Sequence, residues 1–250
     1  MSAFTRLQDG EARPPHAWLA ELRPAERAPA DRPFVFLNMV ASVDGRAAVT
    51  SSARGLGSPA DTLLLGELRA LADAVLIGTG TLRAEGYGVL VRDAGRRARR
   101  RDAGLPDTPL AVLCSRALDL PWDAGLFAAA DQPVLAYTES AHAAPELAAP
   151  VELARLAQAS VPALLADLRA RGVRALLCEG GPTLNRSLLA AGAVDELFLT
   201  LSPQLTGAPD APRIVEGGAL PEAVGLERVW ALAAEGDLFL RYRVVIRRTG

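Results

Sequence analysis

The sequence predicts an α/β protein of three layers: a mostly parallel mixed sheet, helices on both of its faces, and a C-terminal antiparallel hairpin. Two observations carry this. Short, uninterrupted apolar runs, such as those in "PFVFLNMVASVDG" and "VRALLCEGG", alternate with helix-patterned stretches along most of the chain, as strands buried on both faces do. The rhythm then changes in "GLERVWALAAEGDLFLRYRVVIRR", where two alternating runs flank Glu235-Gly236-Asp237 in the pattern of a β-hairpin.

The elements follow in order. Residues 1 to about 32 are rich in Pro, Arg and Ala, with a short helix around Ala17 to Leu22. They are expected to form an N-terminal arm, ordered only by packing on the body or on a partner chain. A single domain is expected over residues 33–250. Its first strand ends in Ser42-Val43-Asp44-Gly45, a turn. "GSPADTLLLGELRALA" opens a helix with Ser58 as N-cap, Pro59 in the first turn and Asp61 at the capping-box spacing. A strand over Asp73 to Ile77, a glycine-rich turn and a short helix from Thr79 come next. "GVLVRDAGRRARRRDAGLPDTP" reads as a polar loop whose arginines are solvated, the alternative being a phosphate-facing patch. "PLAVLC" and "QPVLAYT" are strands, "SVPALLADLRARG" is a helix capped by Ser160 and ended by Gly172, and "VRALLCEGG", "PTLNRSLLAAG" and "VDELFLTLSPQLTG" read strand, helix, strand.

Composition narrows the chemistry. The net charge of −2 gives no nucleic-acid footprint, and no run is apolar enough to suggest a membrane span or a signal core, so the cytoplasm is the expected compartment. All 27 basic residues are arginine, which excludes Schiff-base and Walker-type lysines. The two cysteines, Cys114 and Cys178, lack metal-ligand spacing, so no metal is expected.

Two segments share one design, an apolar strand, small residues and a helix: "VLIGTGTL" and "LLCEGGPTL". Helix amides without intrahelical partners point there toward the carboxyl edge of the sheet, and glycine lets an anion approach. The glycines Gly78, Gly80, Gly180 and Gly181, with the hydroxyls of Thr81 and Thr183, are therefore candidates for a dinucleotide's pyrophosphate. The spacing is not G-x-G-x-x-G, since Arg83 stands where a third glycine is needed. Ser115 and Arg116, at a third strand end, suit a ribose 2′-phosphate, which favours NADPH over NADH. Glu179 could hold a polar substrate, assist proton transfer, or simply cap the following helix. Asp44 could face the cleft, but Asp-Gly is above all a turn dipeptide.

At these residues the chain resembles the pyrimidine reductase family of riboflavin biosynthesis, the reductase half of the bacterial deaminase–reductase, whose fold is dihydrofolate reductase-like. "SVDGRAA", "GSPADTLLLGELRALADAVLIGTGTLRAEGYGVL", "EGGPTLNRSLLAAGAVDEL" and "SPQLTG" carry the resemblance, and "VLCSRALDLP" is similar to the 2′-phosphate segment of dihydrofolate reductases. The resemblance implies NADPH held by Thr81, Glu85, Ser115 and the turn Gly180 to Leu184, and substrate contacts from Arg69 and Glu179. It implies hydride transfer to the sugar C1′ of 5-amino-6-(5-phosphoribosylamino)uracil, and a homodimer. Three features depart from the family pattern. The zinc motifs of a deaminase are absent; Asn38 stands where the bifunctional enzymes carry a lysine, which leaves proton delivery to water, Glu179 or the substrate; and "RAEGYGVL" replaces an Asp-Asp-Pro. Asn38 and Glu179 are thus the catalytic candidates. The other functions weighed are a reductase of a dihydropterin- or dihydrofolate-like ring, a same-fold enzyme using a deazaflavin, and a catalytically idle nucleotide-binding module.

Overall fold

Residues 4–13, within the stretch expected as an arm, add two strands to a sheet. β1 (Phe4–Arg6) pairs antiparallel with β2 (Ala12–Arg13) and with β10 (Gly225–Ala234). Phe4 is fully buried against the ring of Phe239, and Trp18, in α1 (Pro15–Leu19), donates its indole N–H to the Phe4 carbonyl at 3.0 Å. The computed structural model describes residues 3–49 and 52–245. Its chain forms two units, one of Met1–Arg23, Val35–Glu67 and Gly180–Gly250, the other of Pro24–Phe34 and Leu68–Glu179.

In the first unit the strand order is β2-β1-β10-β11-β9-β3, with β3 (Phe34–Ser42), β9 (Glu196–Ser202) and β11 (Asp237–Val245). Only β3 and β9 run parallel, in a register that sets Asn38 beside Phe198 and Val40 beside Thr200. The hairpin turn falls where the sequence predicts it. Glu235 and Gly236 both take positive φ, 53° and 91°, the two-residue geometry whose twist suits paired strands. α6 (Pro182–Ala190) buries Asn185 and Leu188 in this unit.

α2 (Pro59–Leu71) starts as expected, with Ser58 Oγ accepting from Asp61 N at 3.3 Å. The reciprocal half of the capping box does not form. Ser58 N donates to Asp237 Oδ2 at 3.1 Å, Ala60 N to Glu235 Oε2 at 2.9 Å, and the Asp61 carboxylate accepts from Thr200 Oγ1 at 2.6 Å. The hairpin supplies the caps that local sequence assigns to Asp61, and Asp61 is drawn inward. Burial, together with the nearby Asp237 charge, raises its pKa to about 6. A raised carboxylate pKa means that the folded state prefers the proton, so Asp61 destabilises above pH 6 and the penalty fades toward pH 4. Asp61→Asn should keep the Thr200 bond and gain about 1–3 kcal/mol at pH 8, with little gain at pH 4. Urea unfolding at both pH values checks this, and a pH-independent gain would contradict it.

The second unit holds a parallel sheet in the order β8-β4-β5-β6-β7: β4 (Ala74–Ile77), β5 (Leu110–Cys114), β6 (Val134–Thr138), β7 (Val151–Arg155) and β8 (Ala175–Cys178). β4 and β8 are buried at every residue, as their continuous apolar runs require. α3 (Thr79–Glu85) and α5 (Val161–Ala170) form as predicted, with Ser160 capping α5.

The arginine-rich segment corrects the expected solvated loop. Ala94–Asp102 is a helix, α4, capped by Asp93 accepting from Arg96 N at 2.8 Å. Arg100 is buried and donates from Nη1 to the carbonyls of Arg69, Ala70 and Ala72, and from Nε to Pro106 O. The last carbonyls of α2 lack helical partners, and a cation there also meets the negative end of the helix dipole. Neither the phosphate-facing nor the solvated reading fits Arg100.

Candidate active site

Parallel pairing of β8, β4 and β5 brings three strand ends to one edge of the second unit, those leading into Glu179, Gly78 and Ser115. The Glu179 amide continues the ladder by donating to Leu76 O at 3.0 Å, which fixes the base of its side chain. That side chain is nearly enclosed. Oε1 accepts from Arg69 Nε at 2.6 Å, while Oε2 accepts from Arg69 Nη2 at 2.7 Å and from the Tyr87 hydroxyl at 2.8 Å. Arg69, in the last turn of α2, also lies 5.4 Å from the Tyr87 ring centroid.

The electrostatics follow from burial. Desolvation, then the Glu179 charge, pushes the Tyr87 phenol well above its ordinary value, so it remains a donor at neutral pH. Burial works against the Arg69 charge, but Glu179 outweighs it and Arg69 is held above the ordinary arginine range. A carboxylate bound by a bidentate guanidinium and a phenol is arranged as an acceptor. Of the roles that the sequence offers for Glu179, capping is the one excluded, because α6 has Gly181 at its N-cap and no side-chain cap bond.

The neighbouring strand ends are open. α3 begins after Gly78, whose extended backbone (φ −67°, ψ 143°) makes no side-chain cap, and nothing lies within 4 Å of where a Gly80 Cβ would stand. Thr81 and Glu85 lie one turn apart on α3 and so share a face. At the end of β5, Ser115 Oγ donates to Asp119 O at 3.3 Å. The Arg116 carbonyl accepts from Glu139 N at 3.1 Å and Thr138 Oγ1 at 3.0 Å, so its backbone is anchored while the residue remains exposed. The uncapped start of α3 leaves helix amides of the kind that suit an anion.

In the first unit, Gly180 takes φ +87°, and a Cβ there would lie 3.2 Å from Met39 Sδ, so the turn into α6 requires glycine. Pro182 opens α6, followed by Thr183 and Leu184. Asn185, which sequence reasoning missed, is buried and donates to Ile214 O at 2.8 Å. Asn38 is 9% exposed, and its Oδ1 is buried with no hydrogen-bond partner. An orphaned acceptor of this kind is costly, and an ordered water or a ligand N–H would satisfy it.

Asp44 is a turn anchor, the reading that its Asp-Gly dipeptide favours over a cleft-facing substrate contact. Its carboxylate accepts from Ser42 Oγ (2.5 Å), Thr206 N (3.2 Å), Thr206 Oγ1 (3.2 Å) and Gly207 N (2.9 Å). These bonds, that from Ser42 foremost, hold its pKa well below the usual carboxylate range. Tyr87 was the other omission of the sequence reading. Its only signal was an aromatic residue between two glycines, inside the stretch that departs from the family pattern.

The model of the RibD C-terminal domain family matches residues 33–236 of this chain. A 2,5-diamino-6-ribosylamino-4(3H)-pyrimidinone 5′-phosphate reductase of Methanothermobacter thermautotrophicus is 30% identical over 224 residues, 85% of this chain and 99% of its own length. The protein of the same name from Archaeoglobus fulgidus is 30% identical over 203 residues, 79% of this chain and 93% of its own. A crystal structure of a pyrimidine reductase-like protein from Corynebacterium diphtheriae superposes with a TM-score of 0.75 at 24% identity, covering 86% of this chain and 93% of that one, which shows a shared fold.

Proposed function

Since the chain belongs to the RibD C-terminal domain family, we propose that it is an NADPH-dependent reductase of a pyrimidine ribosylamine 5′-phosphate in riboflavin biosynthesis. The observation that carries this reading is the bidentate Arg69–Glu179 pair at the carboxyl end of β8, a polar anchor beside open strand-to-helix turns. The full-length relatives are named for the 2,5-diaminopyrimidinone, which moves the first choice of substrate there from the aminouracil that the sequence suggests.

NADPH, when bound, supplies a hydride, here for C1′ of the opened sugar. In the second unit Gly78, Gly80, Thr81 and Glu85 would hold the cofactor, and Ser115 and Arg116 its 2′-phosphate. Glu179, fixed by Arg69, would accept a hydrogen bond from a substrate hydroxyl or amine and so orient the reacting carbon. Asn38 Oδ1 would accept from a ligand N–H; an amide is no proton donor, so the proton comes from solvent or substrate. The same reading has the enzyme working in the cytoplasm as a homodimer, with the exposed Leu226, Val229 and Leu238 as apolar surface for a second copy.

Loss of absorbance at the reduced nicotinamide band, with the diaminopyrimidinone and the aminouracil offered separately, tests the function. NADPH binding without turnover of either would support an idle nucleotide-binding module instead. Arg116→Ala should weaken NADPH by about tenfold, close to one charge-assisted hydrogen bond, and leave NADH unchanged. Equal losses by calorimetry would remove the 2′-phosphate assignment.

A further inference from the structure

Tyr87 sits where the chain departs from the family pattern, and its surroundings are built around it. It is 9% exposed, and a Cβ on Gly125 would come within 2.9 Å of its carbonyl oxygen, so that segment backs it closely. The following residues are tied down: Leu90 N donates to the buried Gln132 Oε1 at 3.0 Å, and Arg97 Nε to Val91 O at 2.8 Å. The loop therefore holds the phenol in place. Its hydroxyl donates to Glu179 Oε2 at 2.8 Å, and its ring lies against the guanidinium of Arg69, the other partner of that carboxylate.

We infer that Tyr87 is a positioning residue, fixing the rotation of the Glu179 carboxylate toward the substrate and acting only through Glu179; this rests on the function proposed above. Arg69 binds the carboxylate edge-on through Nε and Nη2, and its Nη1 donates to Leu90 O at 3.4 Å. The Tyr87 hydroxyl, arriving from a separate loop, supplies the third hydrogen bond to the carboxylate and so sets its rotation. The phenol keeps its proton, so the role is orientation and not proton transfer.

The test is a double-mutant cycle of Tyr87→Phe and Glu179→Gln, read by steady-state kinetics, by calorimetric affinity for the pyrimidine where turnover is too slow, and by thermal unfolding. Tyr87→Phe keeps the ring and removes only the hydroxyl. It should lower kcat/KM for the pyrimidine by about ten- to a hundredfold, the worth of one hydrogen bond to a charged group. The KM for NADPH should stay the same, and the melting temperature should fall by only the several degrees that one lost hydrogen bond costs. In the Glu179→Gln background the same change should cost less than about twofold, because neighbours acting as one unit are not additive. Equal losses in both backgrounds, or a matching rise in the NADPH KM, overturn the role of Tyr87 alone. A wild-type chain that oxidises no NADPH with either pyrimidine overturns the proposed function, and this inference with it.

Discussion

Arg69→Met is expected to destroy turnover and to unsettle the fold at once. The Glu179 side chain is 3% exposed, and Arg69 provides two of its three hydrogen bonds. Removing the guanidinium leaves a buried carboxylate with one phenol donor, a change that costs about 3–5 kcal/mol. Loss of the bound orientation should lower kcat/KM by roughly a hundredfold or more, since truncating one member of a buried charge pair costs about 2–5 kcal/mol. The double variant Arg69→Met/Glu179→Gln separates the two effects. With the stranded charge gone, most of the stability should return in urea unfolding, while NADPH oxidation stays lost. If activity returned with stability, the pair would be structural and the substrate anchor would have to be sought elsewhere.

Arg241→Met should be as damaging to stability, in the other unit. Arg241 on β11 donates to Glu196 on β9 from Nε at 2.7 Å and from Nη2 at 3.2 Å. The side chains are 4% and 0% exposed, and the guanidinium lies 5.7 Å from the Phe198 ring centroid. Both side chains are buried, so about 3–5 kcal/mol is expected to disappear. Arg241→Met/Glu196→Leu removes both charges and should recover to within about 1–2 kcal/mol of the parent, because burying the pair was itself expensive. Urea midpoints of the three proteins decide this. A single variant as stable as the parent would mean that Glu196 is reached by solvent.

Local signals were read well wherever the interaction closes over a few residues. Ser58 and Ser160 cap their helices as expected because the cap bond spans three positions. Asp61 shows where that stops: its spacing fits a capping box, yet Thr200, 139 residues away, takes its carboxylate. β7 went unread because Val151–Arg155 buries only one residue fully and lacks the apolar run of its neighbours. The arginine run reads as solvated by composition, and Arg100 escapes that rule only because the end of α2 presents it with unpaired carbonyls. Of the candidate site, the glycines and the strand ends were legible in the sequence. The partners of the carboxylates were not.

The sequence alone determined the alternation of strand and helix and the hairpin at Glu235-Gly236, since each follows from periodicity or from the turn chemistry of a few adjacent residues. Tertiary structure decided what each acid does. Asp61 became an inward, desolvated carboxylate and Glu179 a held acceptor, because hydrogen bonds and desolvation depend on distances in space between residues as far apart as 139 and 110 positions in the chain.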